Sequence, residues 1–291
     1  MNNIWLHRYS ILLAVCTLLL VVAGASVTSN DAGLSVPDWP LSFGKVMPEM
    51  KGGVFYEHGH RMVATTVGLL TIGLVIWIWS VEQRRWLKRL SLAALGAVVV
   101  QGVLGGMTVL YKLPPAISVS HACLAQLFFS TTVAIALFTS PYWRRGAQEV
   151  PDSGWPSLRS LVVVTAAVVL GQLALGAAYR HKALDIIPHI IGALVVLAVV
   201  TTVAVITITQ HSAHRGLKGA AKGLMHITFL QLVLGVAAYL TRINTSEGAG
   251  PSAALVVSTV IHVAVGALVM AASVVLAIQV FRNVRRPATG A

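Results

Sequence analysis

Residues 90–111 read LSLAALGAVVVQGVLGGMTVLY, 22 positions without an Asp, Glu, Lys or Arg. At 1.5 Å per residue, a helix of that length crosses the ~30 Å hydrocarbon layer of a bilayer. The apolar positions fall on all sides and lack strand alternation, so only a helix can satisfy this backbone in lipid. Inside the run stands Gln101-x-x-x-Gly105, with Lys112 seven residues beyond the glycine. Seven more charge-free runs flank it, at 9–30, 62–81, 113–143, 160–179, 186–214, 223–241 and 248–281, and each has 19 residues or more. Polar residues trim the longest: Pro114 and Pro115 before the fourth helix, His211 and His214 after the sixth, Gly248 to Ser252 before the eighth. The sequence therefore predicts an all-α integral membrane protein with eight transmembrane helices.

Composition agrees. Apolar residues make up 56% of the chain and charged residues 10%, with a mean hydropathy of +0.80. A soluble domain carries ~25% charge, so a water-soluble globule and a disordered chain are both excluded. Two cysteines, Cys16 and Cys123, lie in apolar runs and read as small core residues, which excludes a disulfide scaffold. The net charge of +12 follows the helix ends. With a cytoplasmic N-terminus, 14 of the 21 basic residues fall inside, from Arg8 through the Arg84–Arg89 and Arg144–Arg159 groups to Arg286. The positive-inside rule then puts both termini in the cytoplasm. No basic patch stands apart from helix ends, so nucleic acid is not an expected partner. Arg8, the run Ile11 to Val22 and Ala23-Gly24-Ala25 also resemble a cleavable signal peptide, but the repeat described next needs this helix. Only about nine residues precede it, too few for an organellar presequence, which points to a bacterial inner membrane.

The Gln-x-x-x-Gly spacing recurs. Gln172 and Gly176 carry it in the fifth helix, followed by Arg180; Gln231 and Gly235 carry it in the seventh, followed by Arg242. The first helix has Leu20 and Gly24 there and lacks the glutamine. Each odd helix precedes one with a histidine near its outer end: His60, His121, His189 and His262. A duplicated four-helix unit fits, with halves 1–145 and 146–291. The glycines either let helices pack closely, with the glutamine as polar glue, or leave room for a flat ligand.

Of the ten histidines, His7, His211 and His214 sit at cytoplasmic ends and are expected to be solvated, His226 opens the seventh helix, and His181 lies in an outer loop. His58 is ~200° round a helix from His60. The remaining four, one per even helix, are costly at membrane depth unless functional. Paired imidazoles on facing helices suit haem iron. Zinc fits less well, because no thiolate or carboxylate cluster completes a tetrahedron. Glu57, His60 and Arg61 share one helix face. A carboxylate there suits proton transfer or charge stabilisation, and equally a helix-entrance ion pair. Ile186 holds the matching place before His189.

These residues resemble the haem A synthase family. The likeness covers nearly the whole chain and is most specific from Gly24 through Arg61, with Ala32-Gly33-Leu34-Ser35-Val36-Pro37-Asp38-Trp39-Pro40 and Glu57-x-x-His60-Arg61. The resemblance implies an oxidoreductase that converts the methyl group of haem O to the formyl group of haem A. It implies a haem B cofactor between His189 and His262, a haem O substrate site between His60 and His121, and a Glu57 needed for reaction. It also implies haem O synthase and terminal oxidase assembly as partners. Part of that family carries a cysteine pair where this chain has Ser35 and Ser42. Small-residue faces such as Gly102-x-x-x-Gly106 suit a homo-oligomer. A two-haem b-type cytochrome that only passes electrons would share the bis-histidine pattern without needing Glu57. A transporter with a repeat-interface site would need helices broken at mid-membrane, and none is visible.

Overall fold

The computed structural model describes residues 3–152, 155–245 and 250–285. Arg286 and Gly248, used above to read charge and boundaries, lie outside the described residues. Among the described residues, eight helices are long and apolar enough to cross a membrane. They are α1 (Ile4–Ser29), α2 (Gly53–Val81), α3 (Arg85–Leu110), α4 (Pro115–Thr139), α6 (Leu158–Arg180), α7 (Ile186–Gln210), α8 (Arg215–Ile243) and α9 (Ala253–Asn283). A single turn, α5 (Pro141–Arg144), and two short strands, β1 (Val150–Pro151) and β2 (Val284–Arg285), complete the set. The protein is thus an all-helical, multi-pass membrane protein.

Every charge-free run lies largely within one long helix, and several helices extend beyond their run. α2 begins nine residues before residue 62 because Glu57 and Arg61 pair with each other on the helix. α8 begins at Arg215, where Lys218 and Lys222 can carry their ammonium groups to the interface on apolar stems. His226 therefore lies three turns into α8, exposed, with Nδ1 2.7 Å from the Lys222 carbonyl, and does not open the helix.

Buried hydroxyls within the helices bond back to the preceding turn, as lipid demands. Thr17 donates to the Leu13 carbonyl, Thr71 to Val67, and Thr207 to Val203, at 2.6–2.8 Å. α1 packs on α2, α4 and α9; α4 also meets α3 and α6; α8 meets α7 and α9. One apolar cluster joins α1–α4 around Leu13, Leu74, Ile78, Leu87 and Ile135. A larger one joins α6–α9 around Val200, Leu217, Leu224 and Leu276. A thin seam of Val21, Phe129, Ala267 and Ala271 lies between them. α4 and α9 bury the largest shares of their apolar windows and α8 the smallest, so α8 presents most of its surface outward.

The end of the bundle that holds the α4–α6 connection is tied by polar groups. Tyr142 donates to Gln279 Oε1 (2.8 Å), the Gln148 amide donates to Asn283 Oδ1 (2.9 Å), and β1 pairs with β2 in parallel. Arg282 lies over the Trp143 ring (4.3 Å) and donates to the Gly146 carbonyl. His211 and His214 belong to this assembly and are buried, against the expectation of solvation. His214 caps α8 by accepting from the Leu217 amide (3.1 Å), and its Nε2 lies 3.1 Å from the Gln148 carbonyl. A chain-reversing connection folds over both rings, which no local pattern signals. His7 is half-buried, with Nδ1 3.0 Å from the Ala136 carbonyl.

Candidate functional site

His60, His121, His189 and His262 stand within the first ten residues of α2, α4, α7 and α9, all toward the end of the bundle that carries the α1–α2 loop. Each ring lies against the glycine of the preceding long helix. A Cβ on Gly24 would meet His60 Cε1 at 3.0 Å; on Gly105, His121 Cε1 at 3.2 Å; on Gly176, His189 Cε1 at 2.8 Å; on Gly235, His262 Cε1 at 3.0 Å. The glycines do make room, and the occupant of that room is the imidazole of the next helix. One contact type therefore recurs four times in the chain.

The glutamines act as interhelical polar contacts. Gln101 Nε2 donates to the His121 carbonyl (2.9 Å). Gln172 Nε2 donates to the His189 carbonyl (2.8 Å) and lies 3.0 Å from His189 Nδ1. Gln231 Nε2 lies 3.4 Å from His262 Nε2. His60 has no such partner, since Leu20 occupies the matching place.

His189 and His262 face each other with ring centroids 6.3 Å apart and planes at 87°. A metal–imidazole bond of about 2.0 Å, plus about 1.1 Å from nitrogen to ring centre, gives roughly 6.2 Å for two rings on one ion. The pair thus stands at a spacing at which both rings could reach one metal ion. Nδ1 of His60, His121 and His262 is buried without a protein hydrogen-bond partner, which is unusual for a polar atom at this depth. Among the described residues no three His, Cys, Asp or Glu side chains gather as a metal cage.

The α1–α2 connection folds over the His60 end of α2. Glu57 is 4% exposed, and both carboxylate oxygens are engaged: Oε2 accepts from the Val36 amide (2.9 Å) and Oε1 from Arg61 Nη2 (2.6 Å). Arg61 Nη1 donates to the Asp38 and Leu41 carbonyls (2.8 and 2.9 Å). The ion pair that the spacing allowed is therefore present, and it anchors the loop. Ser42, fully buried, lies with Oγ 2.8 Å from His58 Nδ1. Trp39 lies flat on α3 at Gly106, whose added Cβ would stand 2.7 Å from the indole. Gly106 is thereby covered by the chain's own loop, which removes it from the small-residue face suggested for oligomer contact. Ser35 fills the space beside Gly53, at the start of α2. Asp38 accepts from the Gly44 and Phe43 amides (2.8 and 2.7 Å), and these hold its carboxyl below the usual carboxylate range. Sequence reading missed His58, Trp39 and Asp38 as loop anchors because their partners lie 5 to 67 positions away.

Residues 47–187, just under half the chain, match the family described as Cytochrome oxidase assembly protein. Among curated proteins, the chain is 32% identical over 170 residues to a protein of Symbiobacterium thermophilum named Heme A synthase, covering 56% of this chain and 55% of that one. It is 30% identical over 194 residues to a Heme A synthase of Shewanella oneidensis (60% and 56%) and 31% identical over 135 residues to one of Alkalihalophilus pseudofirmus (45% and 46%). The matches span about half the length of these relatives. They support the family resemblance, and the family match takes in Glu57, His60, Arg61 and His121.

Proposed function

We propose that this protein is a haem A synthase of a bacterial inner membrane, built as two four-helix halves with both termini cytoplasmic. The observation that carries the reading is the glycine–imidazole contact, made four times and combined with the 6.3 Å His189–His262 pair. In this reading His60 and His121 hold the iron of the substrate, haem O, and His189 and His262 hold a resident haem B. Bound between His189 and His262, haem B would supply one-electron redox chemistry. His60 and His121 orient the macrocycle so that one methyl group is presented to an external oxidant for two successive two-electron oxidations, each adding one hydroxyl: the first gives an alcohol, the second a geminal diol that loses water to give the formyl group. Glu57 fixes the Val36–Ser42 loop over this site through Val36 and Arg61 and supplies a carboxylate near the reacting edge. An electron-carrying cytochrome would need that carboxylate only as the anchor of the loop. Haem O synthase would deliver the substrate and terminal oxidase assembly would take the product.

The test compares haems extracted from cells with and without the protein, identified by mass. Haem A is expected only with it. Glu57→Gln keeps the size of the side chain and removes its charge, so haem A is expected to fall by ~10²-fold, with haem O or its alcohol accumulating and resident haem B retained. Haem A at the normal rate in Glu57→Gln would reduce Glu57 to a helix-entrance ion pair. No haem A with the wild type would leave the electron-carrying cytochrome as the reading.

A further inference from the structure

Close to the His189–His262 pair lies a cavity of about 260 Å³ whose lining includes Arg180, Lys182 and Arg242 with one acid, Asp31. Its walls come from the ends of α1, α6, α8 and α9. Three cations against one carboxylate leave an excess of positive charge. Arg180 spends one nitrogen on the Ala25 carbonyl (2.8 Å) and Ser29 Oγ (2.7 Å). Arg242 lies over the Tyr179 ring (5.4 Å). Among the described residues neither Lys182 nor Arg242 has a carboxylate ion partner.

The helix register ties this cavity to the imidazoles. Arg180 follows Gly176 by four residues, and Arg242 follows Gly235 by seven; those glycines face His189 and His262. Thr259 and Leu255, also in the lining, precede His262 by three and seven. Positions three, four and seven apart share a helix face. So α6, α8 and α9 turn toward the cavity the same faces they turn toward the two rings, displaced by about 5–10 Å along the axis. In the opposite direction the helices pack through the apolar cluster of Val169, Val196, Val200 and Leu224 beside the buried Thr165 and Thr228, and among the described residues no buried one is a Lys or Arg. Carboxylates cannot be left there unpaired.

Resting on the resident-haem reading, we propose that this cavity binds the two propionate carboxylates of the porphyrin held by His189 and His262, with Arg180 and Arg242 as their cationic partners. The acidic edge of the cofactor thereby points to the end of the bundle that carries the α1–α2 loop, and α1 becomes part of its site.

Full-length protein, purified from haem-starved cells and kept in detergent, is titrated with iron protoporphyrin IX and separately with its dimethyl ester, following the low-spin spectrum. The ester is expected to bind at least ~10-fold more weakly, the scale of one charge-assisted hydrogen bond. Arg242→Gln should weaken binding of the free acid by a similar factor and shrink its advantage over the ester, while Lys51→Gln, remote and paired with Glu49, should match the wild type. Arg180→Gln should do the same as Arg242→Gln; since it also unties α1, the exposed Arg242 carries the decision if that variant fails to fold. Equal binding of acid and ester, or an unchanged preference in Arg242→Gln, overturns the proposal. So does inorganic phosphate that stabilises the haem-free protein while leaving acid and ester equal, because the cavity is then a free-anion site. If neither porphyrin gives a low-spin spectrum, the His189–His262 reading fails first and the cavity loses its ligand with it.

Discussion

Replacing Gly176 by alanine adds one methyl group where no room exists. Its Cβ would stand 2.8 Å from His189 Cε1 and 3.2 Å from Nδ1. Non-bonded carbons rest at about 3.5–4.0 Å, so the ring must retreat by ~0.7 Å or more. Retreat is opposed, because Gln172 Nε2 holds Nδ1 at 3.0 Å and the His189 carbonyl at 2.8 Å. Overpacking of this kind costs about 1–3 kcal/mol, and metal–ligand distances tolerate only ~0.2 Å. Haem affinity in the proposed His189–His262 site should therefore drop by ~10-fold or more, with part of the low-spin spectrum lost. Gly171, five residues earlier on α6, is the control. Nothing lies within 4 Å of its added Cβ, and alanine is favoured over glycine in a helix interior by about 1 kcal/mol. Gly171→Ala should keep full haem content and melt at or above the wild-type temperature. His189→Ala sets the floor, with the low-spin spectrum gone. Haem titration and thermal melts of the three variants read the outcome. Equal behaviour of Gly176→Ala and Gly171→Ala would refute the claim that the glycine exists to seat the imidazole.

Two further outcomes follow from the loops. A reporter active only outside the cytoplasm should work when fused within 30–50 or 243–251 and fail within 83–89 or 146–156; the reverse pattern would overturn the orientation read from basic residues. The Gly44 and Phe43 amides depress the Asp38 pKa. A depressed carboxyl stabilises the folded loop at every pH above its unfolded value of ~3.9 and stops doing so only as pH falls through the lower folded value. Proteolysis of the 36–45 loop should then stay constant from pH 7 to 5 and rise only in stronger acid, while Asp38→Asn is cut faster throughout; wild-type cutting that already climbs near pH 6 would contradict this.

The eight spans were legible because a bilayer forbids uncompensated charge over ~20 residues, so each helix writes its length as a gap between charges. Helix ends were less so. α2 and α8 run on through Glu57, Arg61, Lys218 and Lys222, whose charges are paired or can reach the interface, and a gap count reads such residues as stops. The four histidines and their glycines stood out by recurrence, yet which atom fills each glycine's space needed the packing angle between helices. The buried His211 and His214, the Trp39–Gly106 contact and the Arg180–Ala25 bond had no sequence signal, since each joins a polar or aromatic group to a partner chosen by tertiary geometry.

Polar groups in this bundle find their partners at three different ranges, and that sets an order of assembly. Glu57 and Arg61 stand four residues apart, so their charges cancel as soon as α2 winds, before another helix arrives. Gln101, Gln172 and Gln231 each wait for the next long helix, 17 to 31 residues on, where their amide nitrogens find a partner across a hairpin. Arg180 waits longest: its acceptors, Ala25 and Ser29, are 155 and 151 residues back. A chain inserted from its N-terminus has α1 in the bilayer well before α6 emerges, so the guanidinium enters lipid with its acceptors already in place. A version of the protein split in the α4–α6 connection would give Arg180 those acceptors only after the two pieces meet.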